Sequence, residues 1–144
     1  MSALQVMLDS YLETALWSSS DWDDMDDCDN PTPYDENFDI GDFEQSAVDA
    51  ARADCERFIE ALYDAAIDDD SDYDSLYDAA DDLQGDSRIG HDLWLTRNGH
   101  GAGFWDGDYG DYGDEITELV HATFGRYSEL NIFTNESGGL EFDG

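Results

Sequence analysis

The sequence predicts an α+β fold, about four helices packed on a small antiparallel sheet in the order αααββαββ, and three observations predict it. Apolar residues recur at helical spacing in three early segments and in one late one. Around Asn98-Gly99-His100-Gly101 two aromatic segments alternate as strands do. Near the end, two short apolar runs flank Asn135-Glu136-Ser137-Gly138-Gly139, a turn-forming run.

Ser2 and Gln5 make a capping box, and Leu4, Met7, Leu8, Tyr11, Leu12, Ala15 and Leu16 give the first helix its stripe, ending near Trp17. Residues 18–42 read as a long acidic surface loop. Between residues 21 and 44 there are Pro31, Pro33 and eleven acids without one base. Trp22, Tyr34, Phe38 and Ile40 would hold this loop to the domain. The second helix is expected from about Asp42 to Ile67, burying Val48, Ala51, Cys55, Phe58, Ile59, Leu62 and Ala66. A third, from about Ser71 to Leu83, buries Leu76, Tyr77, Ala80 and Leu83, and Gly85 closes it.

Residues 90–106 are the most distinctive stretch. Leu93, Leu95 and Arg97 would lie on one side of a strand, with Asp92, Trp94 and Thr96 on the other; Gly103-Phe104-Trp105 would return as its partner. The expectation is a β-hairpin whose turn holds Asn98 and His100 and whose strands carry Trp94, Arg97 and Trp105. Arg97 would stack on a ring or pair with Asp92 or Asp106. A fourth helix, capped by Asp114, runs through Ile116, Leu119, Val120 and Thr123 to Gly125, and the terminal hairpin joins Leu130–Thr134 to Leu140–Asp143.

The same box carries a resemblance. It is similar to a small uncharacterised family of phage-encoded proteins that share a WLTRNGHGAGFWD segment, here Trp94 to Asp106. An N-terminal segment of the type YLxxALWSS(S/T)D, here Tyr11 to Asp21, and an Ala53-Asp54-Cys55 helix belong to the same pattern. The resemblance implies a viral origin and a small soluble protein of the host cytoplasm, and it implies no activity. This chain departs from its relatives in containing no Lys.

Five basic residues stand against 38 acidic ones, a formal net charge of −33. With 40% hydrophobic and 13% aromatic residues the chain can still bury a core, so residues 1–144 are read as one folded domain. Such a charge excludes nucleic acid as a partner, because counterion release needs cations facing phosphate, and it disfavours anionic membranes. No leader pattern and no apolar run approaching ~18 residues is found, which suits an intracellular protein. Cys28 and Cys55 are too few for a disulfide scaffold.

No nucleophile elbow, phosphate loop, His-Glu-x-x-His helix or Cys-x-x-Cys pair occurs, and His91, His100 and His121 are well separated in sequence. His100 beside Asp92 or Asp106 matches a proton shuttle, but a Gly-flanked His at a turn is more often structural. No enzyme and no cofactor is expected. Asp70, Asp72, Asp74, Asp78 and Asp81 match several ligand positions of a calcium loop, yet Ser75 stands where that loop needs Gly. The bland alternative is an acidic helix start, and no metal is assigned.

Three readings of the acid follow. In the first, rigid helices hold carboxylates where a DNA duplex holds phosphates; 33 charges correspond to roughly 56 Å of duplex, about sixteen base pairs. The partner would be a basic DNA-binding protein of host defence, restriction or CRISPR in type, by analogy of composition with phage antirestriction mimics. Its contact residues would be Asp49, Glu56, Glu60, Asp64, Asp68, Asp69, Asp70, Asp72, Asp74, Asp78, Asp81 and Asp82, with Asp106, Asp108, Asp111 and Asp114 as a flank. In the second, the excess of Asp over Glu and the missing Lys reflect a proteome living in molar salt. In the third, acid merely keeps a viral accessory protein soluble and the Trp94/Trp105 hairpin is the interface. A homodimer stays open under each.

Overall fold

The computed structural model describes residues 3–25, 31–34, 38–65, 72–98, 104, 109–110, 112–125 and 131–143. Among the described residues there are five α-helices: α1 (Ala3–Ser18), α2 (Gln45–Asp64), α3 (Leu76–Gln84), α4 (Asp86–Arg97) and α5 (Tyr112–Phe124). The strands β1 (Ser20–Met25), β2 (Pro31–Pro33), β3 (Asn131–Thr134) and β4 (Leu140–Asp143) form two separate two-stranded antiparallel ribbons. The class is α+β, with one helix more than the patterning predicts.

α1 forms where predicted. Met7, Leu8, Tyr11, Leu12, Ala15 and Leu16 are all buried, doublets recurring every four residues. In α2 the buried stripe is Ala47, Ala51, Cys55, Phe58 and Leu62, and the helix starts after Glu44 rather than at Asp42. Residues 40–42 are instead a 3-10 turn that Asp39 caps, its carboxylate accepting from Gly41 N–H while Asp42 accepts from Asp39 N–H. Part of the predicted long loop is therefore ordered: β1 pairs with β2, and Tyr34 is buried with its hydroxyl donating to the Ile132 carbonyl at 3.0 Å.

α3 begins five residues later than expected because Ser75 supplies the cap. Its hydroxyl accepts from Asp78 N–H, leaving Asp72 and Asp74 in the preceding turn. Gly85, at φ +83°, ends α3 and opens α4, a left-handed joint that glycine makes at little cost.

The predicted hairpin at residues 92–105 is a correction. Residues 86–97 are α4, and Phe104 lies in a turn with its N–H donating to Thr96 Oγ1 at 3.2 Å. From Asp92 to Arg97 every residue of α4 is buried, as are Ile89 and Gly90. This half of the helix is enclosed on all sides and has no polar face, so it lacks the 3.6-residue period, and its six residues then fit strand alternation by chance. What favours the helix is local: Asp86 in the first turn and Arg97 in the last both complement its dipole.

α4 packs against α1 at very short range. A Cβ on Gly90 would lie 2.1 Å from the Met7 carbonyl oxygen, so only glycine lets the two backbones approach. Trp94 sits edge-on to Tyr11 with centroids 5.3 Å apart, and its Nε1 donates to Ser18 Oγ at 2.8 Å. The C-terminal ribbon forms as predicted, with Asn131 opposite Asp143 and Thr134 opposite Leu140. Asn135 Oδ1 accepts from Ser137 and Gly139 N–H, and Gly138, at φ +85°, completes the reversal. Glu44 N–H donates to the Leu140 carbonyl at 2.9 Å, fastening this ribbon beside the start of α2.

Candidate partner-binding surface

A polyanion's behaviour turns on where its few cations go. Four of the five arginines are described, and each is engaged within the fold. Arg52 on α2 pairs with Asp49 at 3.5 Å, and Arg57 donates to the Thr123 carbonyl at 2.7 Å while lying 5.1 Å from the Phe124 ring centroid. Arg88 on α4 faces Asp92 at 3.4 Å, where His91 Nδ1 also meets the buried carboxylate at 2.9 Å. Arg97 is 9% exposed, bonds Asp54 at 2.7 Å and the Tyr11 hydroxyl at 3.1 Å, and lies 4.4 Å from the Phe124 centroid.

Burial alone would lower the Arg97 pKa, but Tyr11 and Asp54 more than offset it and hold the guanidinium charged. Burial raises the Tyr11 phenol well above its ordinary range, so this hydroxyl stays neutral beside Arg97. Arg97 is thus a strut joining α4 to α1, α2 and α5. Its stacking partner is Phe124 and its carboxylate is Asp54, where the sequence suggests Asp92 or Asp106.

The acids are distributed otherwise. Among the residues whose exposure is described, eleven exposed acids lie on α2, α3, α5 and the turn before α3, and Glu13, Asp39, Asp42 and Glu136 are exposed elsewhere. Of the predicted contact residues, Glu56, Glu60, Asp64, Asp72, Asp74, Asp81, Asp82 and Asp114 are exposed. Asp78 is half-buried, and Asp49 is exposed but shares its charge with Arg52. Asp68, Asp69, Asp70, Asp106, Asp108 and Asp111 fall outside the described residues. Helix geometry puts carboxylates four residues apart about 6 Å apart along the axis, whereas duplex DNA carries a charge every ~1.7 Å. One row cannot supply that density, but α2, α3 and α5 pack on one another and each brings its own row.

Some of these carboxylates are held in place. The Tyr73 hydroxyl donates to Asp82 at 2.6 Å, and the Tyr77 hydroxyl to Asp86. Asp81 has its pKa raised by partial burial and by its hydrogen bond and repulsion with Asp86, with Asp78 and Asp82 adding to the repulsion. Like charge is thus crowded where α3 meets the start of α4.

Within this acidic block lies an apolar groove of about 540 Å³ between the end of α2, the start of α3 and one side of α5. Ala65, Leu76, Leu119 and Ala122 line it, and Asp114, Glu115 and Glu118 form its rim. A smaller groove of about 300 Å³ lies between α1 and the 3-10 turn, where Trp17 is 47% exposed beside Glu13 and Asp39. Sequence reasoning missed both. Leu119 was legible as a helix-stripe residue, but a groove made by three segments distant in sequence leaves no local signal.

The predicted hairpin interface is not assembled as expected. Trp94 and Arg97 are buried, and Asn98 is half-buried with its side chain donating to the Trp94 carbonyl; His100 and Trp105 lie outside the described residues. The calcium-loop spacing meets an obstacle too, since Ser75 caps α3 and places Asp78 and Asp81 within the helix. Among the described residues no group of three or more His, Cys, Asp or Glu is placed to hold a metal ion, and no helix is long and apolar enough to cross a membrane. No family model, curated protein or solved structure matches the chain.

Proposed function

We propose that this is a non-enzymatic, phage-encoded acidic protein that acts by occupying the basic DNA-binding cleft of a host defence protein in the host cytoplasm. One observation carries the reading: every described arginine is engaged internally, while among the residues whose exposure is described most of the exposed acid lies on the mutually packed α2, α3 and α5 and the turn before α3. Folded helices spare the carboxylates the conformational freedom of a disordered polyanion. Complementary charge then gives fast, salt-sensitive association with a basic cleft. The test is a pull-down from host lysate washed at graded salt and challenged with duplex DNA. The expected captive is a DNA-handling protein released both by salt and by the duplex. A captive that duplex DNA leaves in place contradicts the reading.

Salt adaptation is the second reading, favoured by the exposed acids outside that block, at Glu13, Asp39, Asp42 and Glu136. In molar salt the Debye length falls to about 3 Å, and dispersed acid then costs little. The two readings separate at low ionic strength, where a mimic stays folded and a salt-adapted protein does not.

A further inference from the structure

The groove of about 300 Å³ between α1 and the 3-10 turn has two walls of matching chemistry. From α1 come Glu13, Leu16 and Trp17, spaced i, i+3 and i+4 and therefore on one helix face. From the facing segment come Phe38, Asp39 and Ile40. Each wall thus supplies one carboxylate, one aliphatic side chain and one aromatic ring. Both rings have neighbours that hold them: His91 of α4 lies 5.5 Å from Trp17 between centroids, and the buried Tyr34 lies 5.9 Å from Phe38. Trp17 is nevertheless 47% exposed, and its ring lines the groove. Asp39 accepts from Gly41 N–H at 2.9 Å, which fixes the carboxylate without cancelling its charge. Among the described residues neither a cation nor a hydrogen-bond donor is set against Glu13.

We propose that this groove binds a small quaternary ammonium cation, its trimethylammonium group held against Trp17 and Phe38 while Glu13 and Asp39 supply the counter-charge. The lining selects that class. Electron-rich rings and two carboxylates attract a cation. A primary ammonium brings three N–H donors that need acceptors and sheds water reluctantly, whereas trimethylammonium has no donor and buries its methyls against Leu16 and Ile40. A phosphate beside the cation, as in a phospholipid headgroup, would face the two carboxylates, so the occupant is a free solute cation. Because the groove lies outside the α2–α3–α5 block, its occupancy is independent of the cleft-occupying reading.

The probe is choline, titrated calorimetrically into the full chain at a constant ionic strength of 0.5 M, where diffuse attraction to the polyanion is screened. Saturable binding is expected, about fivefold tighter than for ethanolammonium, which has the same charge without the methyls, or for dimethylbutanol, which has the same shape without the charge. Phosphocholine is expected to bind more weakly than choline. Trp17→Leu keeps an apolar wall but removes the ring, and should weaken choline about fivefold; Trp17→Phe should restore part of the loss. Glu13→Gln, at an exposed position, should weaken choline about threefold, whereas Glu136→Gln removes the same charge from the β3–β4 turn and leaves binding unchanged. Ethanolammonium or dimethylbutanol binding as tightly as choline overturns the proposal, as does equal weakening by Glu13→Gln and Glu136→Gln, which reduces the effect to net charge. Phosphocholine or a trimethyl-lysine peptide binding tenfold tighter than choline would give the groove to a lipid headgroup or a modified protein and overturn it too. So would dimerisation of the chain that Trp17→Leu abolishes, which would give the groove to a second copy.

Discussion

The α1–α4 pair and the α2–α3–α5 block solve opposite problems. α1 carries two acids in sixteen residues and meets α4 so closely that Gly90 is required, with Trp94, Arg97 and Thr96 making buried polar bonds that fix the geometry. The other block is rich in exposed carboxylates and leaves a groove open, and like charge repels where it meets the frame, between Asp81 on α3 and Asp86 at the start of α4. Packing that cannot shift lies in one region, and charge that would push the chain apart lies in the other and at the seam between them. A protein of this charge can stay folded when its repulsion is borne by the helices flanking a tightly specified frame.

Breaking the frame is expected to have the largest effect. Arg97→Met removes the partner of Asp54 and of the Tyr11 hydroxyl, and should cost about 3 kcal/mol in urea unfolding, the scale of a broken buried ion pair. Gly90→Ala forces Met7 and α1 away and should cost about 2 kcal/mol, read as a lower melting temperature with helicity retained in the surviving native fraction. By contrast, Asp81→Asn relieves repulsion in the acid block and should stabilise by a few tenths of a kcal/mol, in the direction of its raised pKa. A destabilising Asp81→Asn would mean that the acid block contributes to the frame.

The pH dependence sharpens the same contrast. Burial chiefly, with Asp54 adding, pushes the Cys55 thiol up to about 12 from an ordinary 9.0. A folded pKa raised in this way stabilises fully below the unfolded value, and that stabilisation is lost as pH rises through the folded one. Unfolding free energy should therefore fall between about pH 9 and 12, and Cys55→Ala should remove that component of the slope. Asp81 acts in the same sense at the acid end: its raised pKa favours the fold as pH drops towards the ordinary carboxylate range.

What the sequence made legible follows from one-sided burial. α2, α5 and the C-terminal ribbon each bury one face, so Ala51, Cys55, Phe58 and Leu62, or Ile116 and Val120, stand at the expected period. From Asp92 to Arg97 α4 buries all faces, and the period vanished there with the polar side; Gly85, Asp86 and Arg97 were the signals that would have found it. The start of α3 follows from Ser75, whose buried hydroxyl accepts from Asp78 N–H, a contact that helical spacing alone does not single out. The acids were readable from composition, but which remain unneutralised was not, because Arg97 reaches Asp54 across 43 residues. The grooves depend on tertiary packing of separate segments and had no sequence signature at all.

The central claim is that a rigid frame keeps the acid block folded without help from salt. Thermal unfolding followed by circular dichroism at 20 mM and at 2 M KCl tests it directly. The account predicts a cooperative transition well above 25 °C at 20 mM KCl, raised modestly by salt. Loss of the folded signal at 25 °C in 20 mM KCl, with recovery only at molar concentration, would contradict it and leave salt adaptation as the reason for the acid.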